Sequence, residues 1–165
     1  MYVINPSMEA IWLRWLQLFD ATGAQIDHER LAAPFFSCGP PDKATVLYVG
    51  KATGGSWHRD KFQRTVKERL ECTSKWIEAV RNGEYRSAYW HLFLELEARA
   101  ALNDRDSAAV WTNICKIGVL QGNPRAHYLA FQRKLAIETL RLEIETYRPR
   151  LVFFVTGDYA DDVVM

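Results

Sequence analysis

Polar residues and glycines follow three short apolar runs of the sequence, and these run ends are the places where chemistry could occur. The first run, residues 46–49, leads into Gly50 and Lys51, and the second, residues 108–116, carries Asn113. The third run, residues 151–155, is followed closely by Gly157. Unbroken apolar character predicts strands that are buried on both faces. Because parallel sheets bind ligands at the carboxyl ends of their strands, the three run ends predict one site.

Helical patterns separate the predicted strands and indicate the fold class. They cover approximately residues 7–21, 60–82, 85–102 and 126–147. Ser7 is the predicted N-cap of the first helix and Gly23 its stop, and Asn82-Gly83 separates the second helix from the third. The order helix, strand, helix, helix, strand, helix, strand predicts an α/β fold in a single domain over residues 1–165. We expect a three-layer sandwich in which residues 45–50, 109–115 and 151–156 are neighbouring parallel strands.

Composition narrows the class of protein without assigning a function. The chain has 165 residues, of which 48% are hydrophobic and 25% charged, with a net charge of +1. No apolar stretch approaches the roughly 18 residues of a membrane span, so no membrane association is predicted. The three cysteines are far apart and have no metal-site spacing, which favours a reduced, cytoplasmic setting without a bound metal. No cofactor is predicted, and the sequence leaves the oligomeric state open.

Basic residues are concentrated in two parts of the chain. Residues 51–86 contain nine Lys and Arg against five acidic residues, and residues 107–137 contain four basic residues and no acidic ones. Basic side chains that follow a strand end can contact phosphates, with an affinity that falls steeply as salt is added. The same pattern is typical of a solvated loop and helix face. Lys116 and Arg125 are the predicted phosphate contacts.

Each candidate ligand-binding residue also has a structural interpretation. The glycines at positions 50, 54 and 55 could cradle a base or phosphate, or could only form the turn after a buried strand. Asn113 could read a base edge, because an amide both donates and accepts hydrogen bonds, or could cap the following turn. Residues 57–60 could supply Trp57 as a ring that stacks on a base. Alternatively, they could form a helix N-terminus with Asp60 in its first turn. Asp158 could be a carboxylate at a strand end, or an N-cap.

Two segments have motifs in a family-like order. Residues 46–54, VLYVGKATG, predict a strand followed by glycine, a polar residue, a small residue, threonine and a second glycine. The second segment contains, in order, Asn113, Asn123, Arg125, a long helix with Glu138, Arg148-Pro149, a strand and Gly157. Together they resemble the uracil-DNA glycosylase superfamily, and the second is similar to the layout of its iron-sulfur-type members. The resemblance covers about half of the chain.

The resemblance implies a uracil-DNA glycosylase-like fold, DNA or a nucleobase-containing ligand as partner, and base extrusion into a pocket. The base- or ligand-binding residues that it implies are Gly50, Lys51, Ala52, Thr53, Gly54, Trp57 and Asn113. The family's last strand and closing histidine motif would follow residue 165. Asp158 and Asp60 are the candidate catalytic carboxylates.

The opening motif departs from the family pattern at the positions that matter for catalysis. Lys51 and Ala52 stand where members carry an acidic or amide side chain that directs water, and Thr53 replaces the proline. A lysine is a cation at neutral pH and cannot act as that base without strong desolvation. Two functions therefore remain: nucleobase recognition in DNA repair with N-glycosidic hydrolysis, or a non-catalytic nucleic-acid or nucleotide-binding module with the same fold.

Overall fold

The computed structural model describes residues 6–25, 31–32, 34, 37, 43–52, 65–103, 107–119, 122, 124 and 126–157. Four helices and three strands lie in these residues, and the α/β class expected from the sequence is confirmed. In chain order they are α1 Pro6–Gln25, β1 Ala44–Ala52, α2 Val66–Arg81, α3 Ala88–Asn103, β2 Ala108–Cys115, α4 Ala126–Tyr147 and β3 Leu151–Phe154.

The three strands form one parallel sheet with the order β2-β1-β3. On one side of β1, Gly50 is paired with Asn113 of β2, and on the other side Val49 is paired with Phe154 of β3. The ladder continues past β3, because the Val155 N–H donates to the Val49 carbonyl at 2.8 Å. The predicted parallel arrangement of the three runs is therefore confirmed, with the first run at the centre.

Helices pack against both faces of the sheet. Side chains alternate along a strand, so Val46 and Tyr48 face one side and Leu47 and Val49 face the other. The first side contacts α2 and α3 through Ile77, Phe93 and other apolar residues. The second side contacts α4, through Leu140 and Tyr147 among others. This double coverage explains why the strands lack a polar alternation.

Helix α1 packs on α4 rather than on the sheet. Trp12 and Trp15 are buried between the two helices, and the Trp15 indole donates to the Thr139 hydroxyl at 2.8 Å. The prediction that Ser7 caps α1 and that Gly23 stops it is wrong, since the helix starts at Pro6 and continues to Gln25. Proline fits the first helical position because its missing N–H has no intrahelical partner there.

The connections reverse direction at β1. Helices α2 and α3 lead from β1 to β2 across one face, whereas α4 leads from β2 back across the other face to β3. The strand order therefore switches between β1 and β3, and such a switch point opens a crevice at the carboxyl ends of the two strands. Among the described helices, none has the length and apolar character that crossing a bilayer requires.

Strand β3 is the outer strand of the described sheet on this side. Leu151 is 46% exposed, and the following residues 152–155 are partly exposed. Residues 151–157 contain no charged side chain. An apolar outer strand of this kind offers backbone groups for further pairing, unlike edges that are protected by charges or proline.

The pH dependence of stability should report the burial of Cys115, which ends β2. Burial raises the pKa of this thiol from 9.0 to about 12, against the opposing effect of the Lys116 charge. Between pH 9 and 12 the unfolded chain therefore binds fewer protons, and stability falls as the pH rises, by up to about 1.4 kcal/mol per pH unit. Denaturant unfolding between pH 8 and 10 measures this slope.

Two cysteine variants isolate this effect. In Cys115→Ala the cysteine contribution to the slope should disappear, whereas Cys72→Ala, which changes the other described cysteine, should retain it. Equal slopes in wild type and Cys115→Ala would show that Cys115 does not titrate as its burial requires.

Candidate functional site

The carboxyl-terminal edge of the sheet brings together residues from all three strands. The parallel register places Gly50 beside Asn113. Lys51 extends from β1 towards β3, because a Cβ built on Gly157 would lie 3.8 Å from the Lys51 Nζ. The sequence-based expectation that the three run ends meet is thus met for these four residues. Ala52, the last residue of β1, is half-buried at the same edge.

Asn113 carries the most unusual polar group of this edge. Only 1% of the residue is exposed, and its Nδ2 is buried without a hydrogen-bond partner in the part of the chain that the structure describes. A buried amide donor that forms no hydrogen bond costs about 1–3 kcal/mol. Asn113 lies within β2. An unpaired donor that the fold retains at a strand end is a group that a ligand could satisfy.

Tyr89 of α3 reaches the same point from above the sheet. Its hydroxyl accepts a hydrogen bond from the Trp111 indole at 2.8 Å, and its backbone carbonyl accepts one from the Tyr48 hydroxyl at 3.0 Å. The Tyr48 and Tyr89 rings are 5.0 Å apart in an edge-to-face arrangement. Burial raises the pKa of Tyr89, so its hydroxyl keeps its proton. In the bond with Trp111 the Tyr89 oxygen is the acceptor, so the hydroxyl proton is not used in that bond.

Gly50 is required for space at this point. A Cβ at position 50 would overlap the Tyr89 hydroxyl and the Asn113 Oδ1, closer than real Cβ contacts occur. The absence of a side chain lets two polar groups approach the backbone of the central strand. Gly50 lies within β1 rather than in a turn, and its neighbours rather than its backbone angles exclude a larger side chain.

Lys51 and Gly157 mark the switch point between β1 and β3. Lys51 is half-buried, and Gly157 has a φ of +57°, in the left-handed region that favours glycine. The preceding residue, Thr156, is buried and donates its hydroxyl to the Gly157 carbonyl at 3.3 Å. The chain thus places a lysine amine at the crevice that parallel sheets use for ligands.

Lys116 is fully buried and forms an internal ion pair. Its Nζ donates to both carboxylate oxygens of Glu143, at 2.7 and 2.8 Å, and to the Thr112 hydroxyl. Burial lowers the pKa of Lys116, although the Glu143 charge opposes this. In this arrangement the ammonium is directed into the protein. The predicted phosphate contact by Lys116 would require this internal pair to open.

The remaining predicted site residues lie outside the described part of the chain. They are Thr53, Gly54, Trp57, Asp60, Arg125 and Asp158. The site described by the structure therefore consists of Gly50, Lys51, Ala52, Asn113 and Gly157, with Tyr89 added. Within the described residues, no group of three or more His, Cys, Asp or Glu side chains could hold a metal ion.

Sequence reasoning missed Tyr89 and Glu143. Tyr89 belongs to an apolar helix face, and nothing local shows that its hydroxyl reaches a strand end. Glu143 gave a signal that could have been used. It lies three residues after Leu140 and four before Tyr147, so a carboxylate occupies the buried stripe of α4. A charge in such a stripe indicates an internal partner.

Substitution of Gly50 by alanine should destabilise the protein by about 1–3 kcal/mol, because the added methyl group overpacks a filled space. Tyr89→Phe removes one of the two overlapping atoms. The effects of Gly50→Ala and Tyr89→Phe should therefore be non-additive, with the second change costing less in the Gly50→Ala background. Chemical denaturation of the four proteins of the cycle measures this coupling, and simple additivity would contradict the described contact.

Comparison with known proteins supplies no relative for this chain. No family model, no curated protein and no solved structure matches it.

Proposed function

We propose that this chain recognises a nucleobase at the carboxyl-terminal edge of its sheet, with Asn113 reading the base edge. The observation that carries the proposal is the buried Asn113 Nδ2, which has no hydrogen-bond partner among the described residues and belongs to an amide that lies beside Gly50. The resemblance of the strand ends to the uracil-DNA glycosylase superfamily suggested the ligand class, and the unpaired amide supports it.

The chemistry of the edge suits a pyrimidine. An amide side chain offers one acceptor and two donor hydrogens, and a pyrimidine edge offers carbonyl acceptors next to a ring nitrogen. The Tyr89 hydroxyl adds a further proton near Gly50, because its acceptor position is taken by Trp111. A base that reaches these groups must first leave its stack, and the hydrogen bonds that it forms with them offset that cost.

The charge distribution supports a DNA partner more weakly. Arg69 and Lys116, both within the basic segments of the sequence, are completely buried. They do not contribute to a phosphate-binding surface. Exposed basic residues nevertheless remain on and after α2, namely Lys67, Lys75, Arg81 and Arg86. One of them is already engaged, since Arg81 forms an ion pair with Glu97 at 2.5 Å.

Hydrolysis of an N-glycosidic bond would need a group that directs water. The described end of β1 consists of Gly50, Lys51 and Ala52, and none of these three is an acid or amide. The arrangement therefore supports recognition of the base more strongly than chemistry on it.

Asn113→Ala should weaken binding of a pyrimidine about 10- to 100-fold, because the base loses hydrogen bonds to a buried group. Titration calorimetry with uracil, with cytosine and with a uracil-containing single-stranded oligonucleotide measures the affinity. Asn82→Ala is the matched control, since this asparagine is exposed at the end of α2. Absence of binding by the wild-type protein to all three probes would overturn the proposed function, as would equal affinities in wild type and Asn113→Ala.

The chain should release uracil from a DNA duplex no faster than a protein-free control. Loss of a general base costs about 10²–10⁴ in rate, and loss of one preorganised electrostatic group about 10²–10³. Alkaline cleavage of a uracil-containing duplex after incubation measures release. Robust release that Asn113→Ala abolishes would instead place a catalytic group outside the described residues, with Asp60 and Asp158 as the first to test.

A further inference from the structure

We propose that Glu143 is a positioning residue that holds the Asn113 amide at the sheet edge, acting from the opposite face through Thr112 and Lys116. This inference rests on the proposed function for its ligand, although the position of the amide can be measured without any ligand. Nothing in the sequence motifs singled out Glu143.

Glu143 closes the carboxyl-terminal end of β2 like a clamp. The Thr112 hydroxyl donates to its carboxylate at 2.9 Å, and the Lys116 Nζ donates to both oxygens at 2.7 and 2.8 Å. The Lys116 Nζ also donates to the Thr112 hydroxyl. All three side chains are at most 1% exposed. Thr112, directly before Asn113, and Lys116, three residues after it, are thus hydrogen-bonded to the same carboxylate.

Asn113 itself points away from this clamp. Successive side chains of a strand alternate between faces, so Thr112 faces α4 while Asn113 lies on the side of Tyr89 and Gly50. Its Nδ2 adds nothing to its placement, because this atom has no hydrogen-bond partner among the described residues. A buried group in an unfavourable state persists only where its surroundings determine its position. The backbone ladder to Gly50 and the clamp on Glu143 are those surroundings.

The clamp also holds a third segment of the chain. The Ser37 N–H donates to Glu143 Oε1 at 3.2 Å, and the Tyr147 hydroxyl donates to the Ser37 carbonyl at 3.2 Å. Glu143 thereby accepts hydrogen bonds from a lysine, a hydroxyl and a backbone amide. A buried pair of this kind contributes little net stability compared with apolar residues of the same volume, but it fixes geometry. Because the pair lies on the opposite face of β2 from the Asn113 side chain, its fixed geometry holds the strand at the position of that amide.

The test compares variants that open the clamp with variants that preserve it. Thr112→Val removes the hydroxyl at nearly constant volume, whereas Thr112→Ser keeps a hydroxyl at this position. The double variant Glu143→Gln with Lys116→Met removes both charges together, which avoids leaving one buried charge without its partner. Glu138→Gln is the matched control on the same helix, because the Glu138 carboxylate pairs with Arg14 near the surface.

Two measurements report whether the Asn113 amide is displaced and whether uracil binding weakens. The first is the position of the Asn113 side-chain amide signals in a ¹H–¹⁵N correlation spectrum, assigned by their loss in Asn113→Ala. The second is the affinity for uracil by calorimetry. Thr112→Val and the double variant should shift or broaden the amide signals and weaken binding roughly tenfold, while cooperative unfolding is retained. Thr112→Ser and Glu138→Gln should leave both signals and affinity as in wild type.

Several results would overturn the inference. Unchanged Asn113 amide signals in a folded Thr112→Val protein would do so, even if binding weakened, because the loss would then have another cause. An equal perturbation by Glu138→Gln would also do so, since it would point to general loosening of α4. If wild type binds no uracil, the proposed function fails, but the amide signals still decide whether Glu143 positions Asn113.

Discussion

The central strand β1 is enclosed on every side, and the remaining elements are arranged by this enclosure. It is hydrogen-bonded to β2 on one edge and to β3 on the other, and Leu47, Tyr48 and Val49 have no exposed surface. Helices must cover both faces, so the connections have to cross the sheet on opposite sides. The strand order reverses as a result. The end of β1 is then the place where backbone groups, a glycine and a lysine come out of the core together.

Much of this arrangement could be predicted from local patterns. Apolar runs without alternation identified all three strands, and helical periodicity found α4 with the bounds that the structure has. The predicted start and end of α1 were wrong. The local signals at Ser7 and Gly23 are weaker than the packing of Trp12 and Trp15 on α4. Propensities set a preference, and tertiary contacts override it.

The candidate site was predictable in its backbone and less so in its side chains. Gly50 and Asn113 follow from strand ends that meet, which topology guarantees once the sheet is parallel. Lys116 shows the limit. Its type and position predict a surface contact, but a sequence does not reveal that a carboxylate 27 residues further along the chain pairs with it. The two faces of β2 accordingly differ. On one face the Glu143 carboxylate accepts several hydrogen bonds, and on the other the Asn113 Nδ2 forms none with the described residues.

The hydrogen bond between Trp111 and Tyr89 gives the site a built-in optical reporter. The Trp111 indole N–H is bonded to the hydroxyl that overlies Gly50, and the ring lies 4.8 Å from Trp90. Any molecule that displaces this hydroxyl changes the hydrogen bonding of an otherwise buried indole. Indole emission depends on that environment, so displacement of this hydroxyl would change the emission of one of the six tryptophans. Trp111 is thus linked, through the Tyr89 hydroxyl, to the glycine of the central strand.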